Sequence, residues 1–327
     1  METIRIATLD VSRIALGTWS IGGWMWGGSD DRDAVRTVHR ALDEGITLID
    51  TAPVYGMGHA EELVGAALAE IGAHDRVVLA TKLGLEWDDE GNVRRNSSPE
   101  RVRREVDDSL RRLRTDVIHL EQVHWPDPAV PIEDTAAELD KLRDEGKILA
   151  LGVSNFSPEQ MKRFRAVTTL GASQPPYNLF ERGIDEDVLP YCRDTGIGVL
   201  AYGALCRGLL SGTISAEREF TGDDLRQHDP KFQPPRFERY LEAVDRLDRL
   251  ARERYDRSVL ELAIRWLLDR PGVSAALWGA RRPEQLDAVP GVDGWSLDAD
   301  GFAAIDAIIS ATIDDPVGPE FMAPPEE

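Results

Sequence analysis

The stretch Ile46-Thr-Leu-Ile-Asp-Thr-Ala-Pro-Val-Tyr-Gly56 decides how the rest of the chain is read. Ile46, Leu48 and Ile49 suit a short buried strand, and Asp50 sits where that strand ends. Pro53 has no amide proton to give to a strand ladder, so pairing stops before it. Tyr55 then emerges on a loop, five residues beyond the acid. An ionisable residue at the carboxyl end of a buried parallel strand is where barrel enzymes keep their chemistry. Taken alone, the stretch fits equally an acid that caps a turn and a tyrosine that packs, so the other strands must decide.

Outward from this point the chain repeats one rhythm. Residues 3–14 alternate weakly and predict a hairpin before the main fold. Short apolar runs follow at Ile14–Trp19, Ile46–Asp50, Val77–Lys82, Val117–His124, Ile148–Val153, Ala172–Gln174, Gly198–Tyr202 and Val273–Leu277. Each is followed by a helical pattern, the first opened by Ser29 and Asp30 and stopped by Gly45. Another opens at Ser98-Pro99, with proline at its first position. The stretch from Lys82 to Ser97 reads as a loop, and a helix is expected after Pro283. Runs that are continuously apolar rather than alternating belong to strands buried on both faces. Eight such units in 327 residues predict a (β/α)8 barrel, an α/β fold, with the N-terminal hairpin and extra C-terminal helices attached. No linker divides residues 1–327, so one domain is expected, with a long irregular segment at 207–237 and a Pro-rich tail at 312–327. A doubly wound sheet is the rival. It needs a glycine fingerprint opening a helix, and the nominal match at Gly196-Ile-Gly-Val-Leu-Ala201 leads into a strand instead.

Composition narrows the function. The formal net charge of −21 argues against a broad nucleic-acid surface. Only 5 lysines stand against 33 arginines, and the acidic surplus fits either a salt-adapted or an ordinary acidic surface. No apolar run reaches the roughly 18 residues that a membrane span needs. The N-terminus has no secretory pattern. Cys192 and Cys206 suggest neither a disulfide framework nor a metal site. A cytoplasmic setting is therefore expected.

In a barrel the strand ends converge on one rim. Here they carry Gly17, Thr18 and Trp19, Asp50 with Tyr55, Lys82, His124, Asn155, Gln174, Tyr202 and Gly279. The rim offers too few carboxylates and histidines for a typical metal shell. It does suit proton donation to a carbonyl. A free phenol, with a pKa near ~10, is a weak acid at neutral pH. A nearby ammonium group favours its ionised form. Lys82 would supply that charge and Asp50 would keep it in place. His124 would hydrogen-bond the substrate oxygen. No side chain delivers a hydride, so a nicotinamide cofactor is implied.

At these residues the chain resembles the aldo-keto reductases, a likeness carried by Asp50-Thr-Ala-Pro-Val-Tyr-Gly56, His124-Trp-Pro-Asp127, Gly152-Val-Ser-Asn-Phe156, Gln174 with Tyr177-Asn178, and Gly279-Ala-Arg281. Gly203–Gly212 and Asp315–Pro324 resemble the bacterial and archaeal branch of general-stress type reductases. The resemblance implies NADPH-dependent reduction of aldehydes and ketones, with Tyr55 as acid, Lys82 and Asp50 as its tuning pair and His124 as substrate orienter. It also implies cofactor contacts. Ser154, Asn155 and Gln174 would hold the carboxamide, and Tyr202 would stack on the nicotinamide. Gly17 and Thr18 would lie nearby, with Leu205, Arg207 and Leu209 along the pyrophosphate. Gly279, Ala280, Arg281 and Gln285 would take the adenosine end. Arg281, whose guanidinium can grip a 2′-phosphate, points to NADPH over NADH.

Two departures stand out: Ala288-Val289 where many relatives have Glu-Asn, and Leu120-Glu-Gln122 where many have Leu-Tyr-Gln. Trp19, Trp24, Trp26, Trp87 and Trp125 predict an aromatic-walled substrate mouth. The same chemistry run in reverse would oxidise an alcohol or sugar. A cofactor-sensing regulatory subunit is a third reading. Residues 207–237 are expected to clamp over bound cofactor. The sequence marks no interface patch for a partner.

Overall fold

The computed structural model describes residues 1–325. Eight parallel strands close into a barrel in the order β3 (Ile14–Gly17), β4 (Leu48–Asp50), β5 (Val78–Leu83), β8 (Ile118–Val123), β9 (Ile148–Ser154), β10 (Ala172–Gln174), β11 (Gly198–Ala201), β12 (Val273–Gly279) and back to β3. Helices α1 (Asp31–Asp43), α2 (His59–Glu70), α3 (Pro99–Leu113), α4 (Ile132–Asp144), α5 (Pro158–Arg165), α6 (Val188–Thr195), α7 (Arg236–Tyr255), α8 (Val259–Asp269) and α9 (Ala299–Thr312) surround them. Asp30 caps α1 by accepting from the Asp33 amide, and Ser157 and Ser258 form reciprocal capping boxes at α5 and α8.

Both faces of the strands are buried, and this is why they read as unbroken apolar runs. Outward residues such as Leu16, Ile49 and Leu79 pack against the helices. Inward residues Ala15, Leu48, Ala80, Leu120, Ala150, Ala172, Leu200 and Ala275 form one apolar layer. The hairpin of β1 (Thr3–Ile6) and β2 (Leu9–Ser12) closes it from below with Ile6, Leu9 and Val11. Two residues further along the strands the inward positions change character. They become Gly17, Asp50, Lys82, Gln122, Gly152 and Gln174, with Tyr202 just past the end of β11, while Leu277 of β12 stays apolar. The register aligns Gly17 with Asp50, Lys82 with Gln122, and Gln122 with Gly152. An apolar layer thus supports a polar one at the carboxyl ends.

Two elements differ from expectation. The stretch after β5 contains a second hairpin, β6 (Leu85–Trp87) and β7 (Val93–Arg95), instead of loop alone. Its turn is tied by Asp88 Oδ1, which accepts from the amides of Glu90 and Asn92. Between Pro283 and α9 the described residues form no α-helix, only the 3₁₀ turns Pro283–Leu286 and Val289–Gly291. Pro290 falls inside the second turn, and proline blocks continuation of a regular helix. The segment 207–237 contains three 3₁₀ turns before α7.

Candidate active site

The polar layer is an ionic knot. Lys82 Nζ donates to Asp50 Oδ2 at 2.6 Å, to the Thr51 carbonyl at 3.0 Å and to the Tyr55 hydroxyl at 3.1 Å. The other Asp50 oxygen, Oδ1, accepts from Gln174 Nε2 at 2.7 Å and Gln122 Nε2 at 3.2 Å. Asp50 and Lys82 are 2 % and 1 % exposed, so neither charge is answered by bulk water. A buried charge is tolerable only when it is paired and hydrogen-bonded, as both are here.

The electrostatics follow from that enclosure. Burial pushes the Tyr55 phenol above its ordinary value near 10, while the charge and hydrogen bond of Lys82 pull it back only in part. The lowering expected from the sequence is therefore present but outweighed, and at neutral pH Tyr55 keeps its proton. For Lys82, burial works hardest against the charge. Asp50 and Tyr55 more than offset it, and the ammonium ends up above its usual value. His124 is driven well below the ordinary imidazole value, first by burial and then by the Lys82 charge. It is thus a neutral ring, able to donate a hydrogen bond.

Tyr55 is held by the loops on either side of it. Gly22 lies so close that a Cβ there would stand 2.6 Å from the Tyr55 carbonyl oxygen. Gly56 turns with φ +67° against the Gly22 backbone, which also leaves no room for a side chain. The Tyr55 ring stacks on Trp19 at 6.0 Å and meets His124 edge-on at 5.8 Å. Trp19, Trp24, Trp87 and Trp125 pack around Tyr55 together with Val54 and Leu85, and so wall one side of the knot. Trp26 departs from this group. It meets Trp19 edge-on at 5.6 Å and lies beneath the Arg226 guanidinium.

A cleft of about 770 Å³ runs from Asp50 and Tyr55 along the barrel mouth. Gly17, Thr18, Gln174, Tyr202, Leu205, Arg207, Gly279, Arg281 and Gln285 line it. Its far end gathers Arg218, Arg226, Arg281 and Arg282. The indole N–H groups of Trp19 and Trp26, both lining residues, are buried and lack an acceptor among the described residues. An elongated cleft with a cationic end and orphan donors fits an anionic dinucleotide.

The remaining cofactor candidates behave differently. Ser154 Oγ donates to the Gln174 carbonyl at 2.7 Å. Asn155, in a left-handed conformation with φ +61°, donates to the His124 carbonyl and accepts from the Tyr202 hydroxyl, both at 3.0 Å. Leu209 and Ala280 are buried in the core behind the cleft. Arg207 borders the cleft, but its guanidinium turns away. It binds Asp229 Oδ2 at 2.6 Å and Glu181, within a buried network that includes Lys231. Arg281 donates to the carbonyls of Trp26 and Gly28, at 2.9 and 3.3 Å, which ties the Trp-rich loop to the cationic end.

Three contributors escaped the sequence reading. Gln122 reaches Asp50, Met322 of the tail lines the cleft, and Arg226 covers Trp26. Only Gln122 carried a usable signal, being an uncharged polar residue at an inward position of a strand that ends at a candidate site.

The family model for the aldo/keto reductase family matches residues 13–310. The chain is 57 % identical over 327 residues to the aldo-keto reductase YhdN of Bacillus subtilis (strain 168), covering 99 % of this chain and 98 % of that protein. It is 35 % identical to the NADH-specific methylglyoxal reductase of Escherichia coli (strain K12), over 88 % of this chain and 91 % of the relative. Among solved structures, a glycerol dehydrogenase of Gluconobacter oxydans superposes with a TM-score of 0.89 at 56 % identity, covering 98 % of this chain and 99 % of that one.

Proposed function

The chain belongs to the aldo/keto reductase family, and from that premise we propose that it reduces aldehydes and ketones to alcohols at the expense of NADPH, with Tyr55 as the proton donor. The observation that carries this reading is the Tyr55 hydroxyl held 3.1 Å from a buried ammonium at the wall of a dinucleotide-sized cleft. A bound nicotinamide would supply the hydride. Every other part of the reaction falls to side chains of this chain.

Tyr55 gives its proton to the carbonyl oxygen as negative charge grows there. Lys82 stabilises the phenolate left behind. Asp50 keeps Lys82 charged throughout and is itself held by two amide donors. The neutral His124 donates to the same carbonyl oxygen and fixes its direction. The tryptophan wall excludes water and favours substrates with apolar bodies. Gln174, Ser154, Asn155 and Tyr202 would hold the nicotinamide half, Leu205 would lie along the middle, and Arg281 with Gln285 would hold the adenosine end. The guanidinium cluster at that end supports NADPH, whose extra phosphate it can neutralise. Residues 207–237 would close over the nucleotide. We take the whole chain as one working unit, in a cytoplasmic setting.

The likeness to a glycerol dehydrogenase supports a second reading, in which the same residues run backwards and oxidise an alcohol. Tyr55 would then act as a base, which its raised value disfavours at neutral pH. The test is NADPH consumption with a panel of aldehydes including 4-nitrobenzaldehyde, beside NADP+ reduction with glycerol. Turnover of the aldehydes is the expected outcome. No turnover in the first arm with turnover in the second would replace the first reading by the second.

A further inference from the structure

The Asp50 carboxylate has three donors on two oxygens, and one of them belongs to a residue that touches neither the cleft nor the reacting groups other than Asp50. Gln122 is fully buried and does not line the cleft. Its Nε2 donates to Asp50 Oδ1 at 3.2 Å and approaches the Thr81 carbonyl at 3.4 Å. Its Oε1 accepts from Gln174 Nε2 at 3.1 Å. A carboxamide is a neutral group that donates to a carboxylate at one end and accepts from an amide at the other. A carboxylate at this position would have nothing to donate, and an apolar side chain would do neither.

The neighbouring strand is shaped around this side chain. Gly152 pairs with Gln122 in the β8–β9 register, and a Cβ on Gly152 would stand 2.8 Å from Gln122 Cγ. That is closer than two carbons approach without one moving. The missing side chain at residue 152 is the space that the Gln122 stem fills. Without Gln122, Oδ1 keeps only the Gln174 amide, which has itself lost Gln122 Oε1 as an acceptor, so the carboxylate and the oxygen facing Lys82 are held less firmly.

We propose that Gln122 is a positioning residue for Tyr55: it pins Asp50 Oδ1 so that Oδ2 holds Lys82 against the phenol, and Gly152 is glycine to admit it. The role of Tyr55 as proton donor is the reading on which this rests. The charged and titratable groups facing Tyr55 are Asp50 from β4, Lys82 from β5, His124 from the end of β8 and Tyr202 from the end of β11. Amide donors on Asp50 draw charge from its oxygens. Their removal leaves a more negative neighbour that competes harder for the Lys82 ammonium, and both effects disfavour the phenolate.

The test uses full-length protein with Gln122→Met, which keeps the length and bulk of the side chain, and Gly152→Ala, which displaces Gln122 without altering it. The primary readout is the ultraviolet titration of Tyr55, isolated by subtracting the same variant carrying Tyr55→Phe. The midpoint is expected to move upward in both variants. A midpoint that stays in place, or moves down, in both overturns the proposal even if the melting temperature falls, because a purely structural loss would not move it. Gly152→Ala serves alone if Gln122→Met does not fold. Where the wild type reduces 4-nitrobenzaldehyde, kcat is expected to fall by about 10- to 100-fold, the range for loss of a hydrogen bond to a charged group. The KM for NADPH is expected to change much less. Absence of turnover in the wild type would count against the proposed function and leave the titration to judge Gln122.

Discussion

Replacing Asp50 by Asn tests the knot most severely, because the substitution keeps shape and removes only charge and one acceptor. Three donors, Lys82, Gln122 and Gln174, converge on the two carboxylate oxygens. Asparagine offers one oxygen and brings an NH2 group. Whichever way it turns, one donor faces another. Lys82 is 1 % exposed and keeps only the Thr51 carbonyl and the Tyr55 hydroxyl. Removing one partner of a buried ion pair costs about 3–5 kcal/mol. The two surviving contacts place this case near the low end, about 3 kcal/mol. At roughly 2 °C per kcal/mol for a chain of this size, the melting temperature should fall by about 6 °C at pH 7.

The sign of the pH dependence is fixed as well. In the wild type the folded Lys82 lies above its unfolded value, so its contribution is complete below the unfolded value and is lost only as pH rises through the folded one. In the variant burial dominates, and the lysine sheds its proton at lower pH. The deficit against wild type should therefore be largest near neutrality and shrink towards pH 10. The assay is thermal unfolding of wild type, Asp50→Asn and the double variant Asp50→Asn/Lys82→Met across pH 6 to 10. The double variant should be more stable than the single one, since it removes the stranded charge. A single variant that melts within about 1 °C of wild type at pH 7, or a double variant less stable than the single, would refute the reasoning.

Other outcomes follow from separate parts of the molecule. Arg281→Ala should weaken NADPH at least tenfold more than NADH in equilibrium binding, given about 1.4 kcal/mol or more for a charge-assisted contact; an equal loss for both would remove Arg281 from cofactor choice. Glu121 is fully buried with neither carboxylate oxygen hydrogen-bonded among the described residues, and burial, then Glu61 and Glu105, raise it well above the usual carboxylate range. Its contribution is complete below the unfolded value and lost as pH rises through the folded one. Glu121→Gln, which cannot ionise, should therefore gain melting temperature over wild type between pH 5 and pH 8, and a pH-independent difference would contradict this. Limited proteolysis within residues 207–237 should slow when NADPH is added; unchanged cleavage would count against closure over the nucleotide.

The barrel was legible because its strands are buried on both faces and its helices open on capping residues whose chemistry is local. The acid, base and aromatic groups at the rim were legible for a related reason. In a barrel, strand ends converge whatever lies between them, so Asp50, Lys82 and Gln174 could be placed together from strand positions alone. What escaped depends on contacts remote in sequence. The Arg207 guanidinium turns to Glu181 and Asp229 rather than the cleft, and no local spacing announces that choice. Nothing local in the sequence announces that the Arg281 guanidinium ties down the Trp-rich loop through the Trp26 carbonyl. The hairpin at 85–95 was hidden by its charged turn, although Leu85, Trp87 and Val93 alternate as a hairpin requires. Gln122 looked like one more residue of a buried strand until the register set it opposite a glycine.

The central claim is that the phenol of residue 55 is the acid. Its most direct measurement is the single-turnover rate of carbonyl reduction in Tyr55→Phe, with NADPH binding followed separately by fluorescence. Lys82 retains Asp50 and Thr51 as partners, so the variant should stay folded and bind the nucleotide. The rate should fall by about 10²- to 10⁴-fold, the usual contribution of a positioned acid. A folded, nucleotide-binding variant that still reduces 4-nitrobenzaldehyde within about threefold of the wild-type rate would contradict the account.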